Sequence, residues 1–128
     1  MNAPVQPKLA ATVVLLRDGA AGVEVLLVRR HGASGFMAGA TVFPGGKLDP
    51  VDADAPASGG SAEDCARALG ATDPRQARAT FVAAVRELHE EADILLAADA
   101  RGRLASADAI ARIDARDRKS TRLNSSHT

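Results

Sequence analysis

The chain has 128 residues, a length that allows at most one domain. Its 16 basic and 16 acidic residues balance to a formal net charge of zero, and only 2% of its residues are aromatic. This composition argues against a nucleic-acid-binding surface, which needs basic patches and aromatic stacking platforms. The single cysteine, Cys65, excludes a disulfide within the chain. No segment reads as a signal peptide or a membrane span, so we expect a cytoplasmic protein without a membrane partner.

The first half of the sequence predicts short β-strands. Two runs rich in β-forming residues, 11–16 and 23–28, are separated by a connection that contains Asp18-Gly19, a pair typical of hairpin turns. Residues 41–43 predict a further short strand. The Pro44-Gly45-Gly46 sequence that follows predicts a sharp turn where the backbone comes close to another element.

The second half predicts helices separated by a loop. Residues 49–60 mix Asp, Pro, Ala and Gly without periodicity and predict an exposed loop. Helix-capping residues then predict three helices. The first covers 62–69 between Ser61 and Gly70, the second covers about 74–92 after Asp73, and the third covers about 106–115.

Three glutamates lie within the longest predicted helix. Glu87, Glu90 and Glu91 occupy positions i, i+3 and i+4 and share one arc of about 100° around the helix. The apolar stripe lies on another side of the helix, and we expect its residues Phe81, Val85 and Leu88 in the core. Like charges at this spacing repel each other, whereas a divalent cation among them would offset the repulsion. Hard cations such as Mg²⁺ take oxygen ligands and bridge carboxylates to substrate phosphates. The spacing therefore predicts a metal site, and the alternative is a solvated acidic helix face.

These residues resemble the Nudix box, whose usual form is G-x5-E-x7-R-E-U-x-E-E-x-G-U, with U aliphatic. Gly46 matches its first glycine, and its second half is matched by Arg86, Glu87, Leu88, Glu90, Glu91 and Ile94. The sequence differs from this pattern in two ways. The stretch between Gly46 and Arg86 is about 26 residues longer than in the compact box, and Asp93 replaces the glycine that ends the helix. Asp52 stands where the first box glutamate would fall, although the insertion leaves that equivalence open.

A box with a long insertion is similar to the coenzyme A diphosphatase branch of the family. That branch carries an upstream signature close to L-L-T-x-R-S-x3-R-x3-G-x3-F-P-G-G. Here the matching residues are Leu26, Leu27, Arg30, Gly39 and the block 43–46, while Gly35 stands in place of the second arginine.

The resemblance implies a Nudix-type α/β/α sandwich with a mixed sheet, and an enzyme that hydrolyses a diphosphate bond. Glu87, Glu90 and Glu91 would hold Mg²⁺ or Mn²⁺, and Arg86 would orient the glutamates, so these four are the candidate catalytic residues. The candidate substrate-binding residues are Arg30, Gly45, Gly46 and Lys47. Arginines at a strand end, such as Arg29 and Arg30, are more often surface charges than ligands, and Lys47 is equally compatible with a surface residue or a phosphate contact.

The resemblance also predicts the organisation of the chain. Residues 1–10 form an N-terminal extension and 11–116 a partial Nudix domain with an insertion at about 49–73. Residues 117–128 resemble a translated sequencing adaptor and are expected to be non-native, the alternative being a genuine disordered tail.

The expected substrate is a small nucleotide molecule, either coenzyme A or acyl-coenzyme A. Two alternatives remain open. The first is that the chain hydrolyses NADH or dinucleoside polyphosphates, and the second is that it is an inactive truncated fragment.

Overall fold

The computed structural model describes residues 3–29 and 39–106, together with Asp108 and Arg112. It divides into two compact units, Met1–Ile94 and Leu95–Thr128. The predictions for Arg30, for the tail at 117–128 and for most of the helix at about 106–115 fall outside the described residues. The strands are β1 (Ala10–Thr12), β2 (Leu16–Gly19), β3 (Gly22–Val25), β4 (Val28–Arg29), β5 (Thr41–Val42) and β6 (Gly45–Lys47).

The six strands form three antiparallel pairs within the first unit. β1 pairs with β6, β2 with β3, and β4 with β5. Backbone hydrogen bonds extend the first pair at both ends, since the Val13 amide donates to the Pro44 carbonyl at 2.8 Å and the Leu48 amide to the Leu9 carbonyl at 3.1 Å. The predicted run 11–16 is therefore divided between two different strand pairs.

The predicted hairpin is present, but its turn lies two residues further along the chain. Asp18 and Gly19 belong to β2, where Asp18 pairs with Val23 and Gly19 with Gly22. The turn consists of Ala20 and Ala21, and Gly22 takes a φ of 126° that favours glycine. Across the strands, Arg17 Nε donates to Glu24 Oε2 at 2.6 Å, so a cross-strand ion pair supports this register.

The prediction of a turn at Gly45-Gly46 was wrong, because both residues lie in β6. They pair with Thr12 and Ala11, and neither has a positive φ. Their small size is needed instead for close packing. A Cβ at Gly45 would overlap the backbone around Ala11 and Thr12, and a Cβ at Gly46 would overlap the carboxylate of Glu87.

Two helices follow, with the caps that the sequence predicts. α1 (Ala62–Leu69) begins at Ser61, whose hydroxyl accepts from the Asp64 amide at 3.1 Å, and ends at Gly70 with φ 62°. α2 (Pro74–Ala92) begins at Asp73, and its C-cap is Asp93 in the left-handed region at φ 55°. The expected loop at 49–60 also contains a 3₁₀ helix, Pro50–Ala53, which periodicity did not predict because it is only four residues long.

The helix α2 packs against α1, β1, β6 and the 3₁₀ helix. Leu88 is fully buried there, as predicted, whereas Phe81 is 43% exposed and was wrongly assigned to the core. The other buried apolar side chains among the described residues are Pro44 and five alanines, namely Ala11, Ala66, Ala77, Ala79 and Ala83. Close contact through these small side chains brings the backbone of α2 near the elements around it.

In the second unit, residues 95–106 form a small turn structure. Ala98 pairs with Leu104 in an antiparallel bridge, and Asp99 Oδ1 accepts from the amides of Arg101 and Arg103 at 2.8 and 3.0 Å. Within the part of the chain that the structure describes, no helix is both long and apolar enough to cross a lipid bilayer.

Candidate active site

A buried ion pair joins the 3₁₀ helix to the glutamate-bearing end of α2. Arg86 Nε donates to Asp52 Oδ1 at 2.9 Å, and Arg86 Nη2 donates to Asp52 Oδ2 at 3.0 Å. The Asp52 side chain is 1% exposed and that of Arg86 is 27% exposed. Two parallel charge-assisted hydrogen bonds of this kind fix the plane of the guanidinium as well as its position. The pair therefore sets where the side chain of Arg86 lies.

Capping interactions explain why Asp52 points inward. Asp49 is the N-cap of the 3₁₀ helix, and its carboxylate accepts from the Val51 amide at 3.0 Å. Asp52 Oδ2 in turn accepts from the Asp49 amide at 2.7 Å, which completes a reciprocal capping box. The Asp52 carboxylate thus has a local backbone donor as well as Arg86, and its burial is compensated by hydrogen bonds.

Arg86 also contacts two of the three predicted glutamates. Its Nη1 donates to Glu87 Oε1 at 3.0 Å and to Glu90 Oε2 at 3.3 Å. Arg86 Nη2 also donates to the backbone carbonyl of Lys47 at 3.1 Å. One guanidinium therefore links the 3₁₀ helix, β6 and the acidic face of α2.

Asp52 and Arg86 each stabilise the ionised form of the other. The hydrogen bond from Arg86 holds the pKa of Asp52 below its ordinary value of 3.8, against the opposing effect of burial. The same bond, aided by those to Glu87 and Glu90, raises the pKa of Arg86 further above its already high value. Both effects favour the ionised forms of Asp52 and Arg86, so this ion pair is charged at neutral pH.

Gly46 brings the strand β6 against the Glu87 carboxylate. A Cβ added at Gly46 would lie 2.5 Å from Glu87 Cδ, which is far inside van der Waals contact. The Glu87 side chain is 15% exposed, so glycine at position 46 provides the space in which this carboxylate sits. The predicted close approach of the backbone to another element is present at Gly46, and that element is α2.

A cleft of about 560 Å³ lies beside this cluster. It is lined by residues of β1 and β6, by Glu90 and Glu91 of α2, and by Phe43, which is 43% exposed. Arg29 from β4 also lines it. The cleft thus combines two exposed carboxylates with one arginine and an aromatic ring.

The remaining predicted site residues differ in where they lie. Lys47 contributes its carbonyl to Arg86, and its side chain does not line the cleft. Arg30 falls outside the described residues. The oxygen donors of Glu87, Glu90 and Glu91 suit a hard divalent cation, and the space that Gly46 leaves for Glu87 is compatible with such a site. Among the described residues, however, no three acidic, histidine or cysteine side chains converge as a metal-binding group, so the metal site stays a prediction.

No protein-family model matches the sequence, and no curated protein matches it. Among solved structures, the chain is similar to the NUDIX hydrolase from Alicyclobacillus acidocaldarius, with 36% sequence identity and a TM-score of 0.58. This likeness supports the Nudix family. The match covers 80% of this chain and 45% of that one, so the chain spans less than half the length of this relative. The predicted α/β fold class is confirmed by the small antiparallel sheets, the two helices and this Nudix neighbour.

Sequence reasoning missed two residues that the structure places in or beside the cleft. Asp52 was noted by its spacing from Gly46, but its bond to Arg86 could not be inferred across the intervening residues. Arg29 was interpreted as a surface charge because it lies at a strand end. The pairing of β4 with β5 is the signal that places Arg29 at the cleft, and it depends on the fold.

Proposed function

We propose that this chain carries the catalytic region of a Nudix hydrolase that cleaves the diphosphate bond of a nucleoside diphosphate derivative, with coenzyme A or acyl-coenzyme A as substrate. The observation that carries the proposal is the arrangement around Arg86. This arginine holds Glu87 and Glu90 on one side and Asp52 on the other, directly beside a cleft edged by Glu90 and Glu91. The relative of known structure, a NUDIX hydrolase, supports the same assignment.

The position of Asp52 supports an interrupted Nudix box. Gly46 and Asp52 keep the spacing of the first half of the box, and Asp52 contacts Arg86 of the second half. The additional residues would then lie after Asp52, in the segment that contains α1 and precedes the buried part of α2. Arg78 fastens this segment to α2, because its guanidinium donates to the carbonyls of Ala53 and Ala55 at 3.1 and 2.7 Å.

Glu87, Glu90 and Glu91 would hold Mg²⁺ or Mn²⁺. When bound, the ion would neutralise phosphate oxygens and lower the pKa of the attacking water. Arg86 has a separate task, which is to keep the carboxylates of Glu87 and Glu90 on the cleft side of α2 in spite of their mutual repulsion. Asp52 acts through Arg86 and is a positioning residue.

The coenzyme A assignment rests on the upstream residues that match the branch signature, including Leu26, Leu27 and the 43–46 block. Of these, Phe43, Gly45 and Gly46 line the cleft. Hydrolysis would release a phosphopantetheine product and adenosine 3′,5′-bisphosphate. We also propose that residues 11–116 form a partial Nudix domain and that residues 117–128 are a non-native tail.

Product analysis of the purified chain tests this function. Coenzyme A is incubated with Mg²⁺ or Mn²⁺, and adenosine 3′,5′-bisphosphate is measured by anion-exchange chromatography, with NADH and a diadenosine polyphosphate as comparison substrates. We expect metal-dependent cleavage of coenzyme A, abolished by chelation and reduced at least a hundredfold in Glu90→Gln. Glu63→Gln, an exposed glutamate on α1, is the matched control and should retain full activity. Preferential cleavage of NADH would contradict the substrate, and equal activity of both variants would contradict the metal site.

A further inference from the structure

Arg29 is the arginine that lines the cleft beside the acidic end of α2. It is the last described residue of β4, and its pairing with Thr41 of β5 fixes its backbone in the sheet. The same cleft is lined by Glu90 and Glu91. The geometry points to Arg29 as a phosphate-binding residue of the substrate site, an inference that rests on the proposed function and names a contact for its substrate.

Most of the other arginines that the structure describes are bonded to protein groups, whereas Arg29 is not. Five of the arginines that the structure describes form ion pairs with nearby carboxylates, namely Arg17, Arg67, Arg75, Arg86 and Arg103. Arg29 is exposed and makes no ion pair or side-chain hydrogen bond with any residue in the described ranges 3–29 and 39–106. No residue in these two ranges occupies its guanidinium donors, which are therefore available to a ligand in the cleft.

The charges of the cleft explain what kind of ligand would use those donors. Glu90 and Glu91 repel an entering anion. An anionic substrate therefore needs positive charge on the cleft wall in addition to the metal ion proposed at the carboxylates. The planar guanidinium of Arg29 can donate two parallel hydrogen bonds to a phosphate group, which an ammonium group cannot do. Phe43 adds an exposed aromatic surface to the same cleft, suitable for an apolar or aromatic part of the substrate.

Isothermal titration calorimetry with methylenediphosphonate, a diphosphate analogue that is not hydrolysed, tests this role in Mg²⁺-containing buffer. We expect Arg29→Ala to weaken binding about tenfold or more, as for the loss of charge-assisted hydrogen bonds, and Arg29→Lys to weaken it less. Arg17→Ala, which removes an exposed arginine of the β2–β3 hairpin, is the control and should bind as the unaltered chain does. Unchanged binding by Arg29→Ala, no binding by the unaltered chain, or equal losses in Arg29→Ala and Arg17→Ala would overturn the proposal.

The hydrolysis assay separates this inference from the proposed function. If the chain binds the analogue through Arg29 but cleaves no nucleotide, the phosphate site stands and the proposed enzyme does not. If the chain cleaves coenzyme A and Arg29→Ala binds the analogue normally, the enzyme stands and the phosphate site does not. Comparing coenzyme A with dephospho-coenzyme A then identifies the phosphate concerned. A rise in KM of Arg29→Ala for both substrates indicates the diphosphate, and a rise for coenzyme A alone indicates the 3′-phosphate.

Discussion

Replacement of Asp52 by alanine should destabilise the protein far more than the same change at Asp54. Both aspartates form two hydrogen bonds with one arginine, Asp52 with Arg86 at 2.9 and 3.0 Å, and Asp54 with Arg75 at 2.8 and 3.1 Å. They differ in burial, because the Asp52 side chain is 1% exposed and the Asp54 side chain 71% exposed. The two substitutions therefore compare nearly identical ion pairs in different surroundings.

The expected loss for Asp52→Ala is about 3 kcal/mol of unfolding free energy. Breaking a buried pair by removing one partner typically costs about 3–5 kcal/mol, since the remaining charge is left uncompensated. The lower end applies here because Arg86 is 27% exposed and keeps its contacts with Glu87 and Glu90. For Asp54→Ala we expect a much smaller loss, as for other solvent-exposed pairs.

Urea unfolding followed by circular dichroism at 222 nm measures both changes. With an m-value of about 1 kcal/mol/M, a loss of about 3 kcal/mol lowers the midpoint by about 3 M, whereas Asp54→Ala should change it far less. If Asp52→Ala does not fold, Asp52→Asn gives a smaller loss that is compared with Asp54→Asn in the same way. Equal losses at positions 52 and 54 would show that the Asp52–Arg86 bond does not hold the site together.

Two further substitutions and one pH dependence test the site and the end of α2. Gly46→Ala places a methyl group against the Glu87 carboxylate, so we expect kcat for the proposed hydrolysis to fall at least tenfold, and unchanged steady-state rates would contradict this role of glycine. Because Arg86 lowers the pKa of Asp52, the folded state binds fewer protons than the unfolded state as the pH approaches 3.8, and stabilisation by the pair is full at neutral pH and lost as the pH falls. The difference in unfolding free energy between the unaltered chain and Asp52→Asn should therefore stay constant down to about pH 5 and shrink below about pH 4. Urea titrations at several pH values measure this difference, and a difference that widens in acid would contradict the prediction. Asp93→Gly removes a side chain from a left-handed C-cap with φ 55° and should raise the unfolding free energy by up to about 1 kcal/mol, whereas a lowered thermal midpoint would indicate that Asp93 stabilises the end of α2.

Local features of the fold could be predicted from the sequence because local interactions cause them. Ser61 and Asp73 begin helices since their side chains accept hydrogen bonds from the amides of the first turn, and Gly70 ends α1 in a left-handed conformation. The helical spacing of Glu87, Glu90 and Glu91 likewise follows from the 3.6-residue period. The hairpin was predicted, but its turn was misplaced because Ala20-Ala21 carries no turn signal of its own.

Only the tertiary structure determined which of these elements meet. Asp52 and Arg86 are far apart in the sequence, and no local rule predicts that a four-residue 3₁₀ helix turns one carboxylate inward to meet Arg86. The pairing of β4 with β5 places Arg29 at the cleft, and the close packing of β6 gives Gly46 its role beside Glu87. The sequence determined the chemistry of the site through its residue types and helical spacing. The fold determined its geometry, because contacts between distant residues depend on how strands and helices pack.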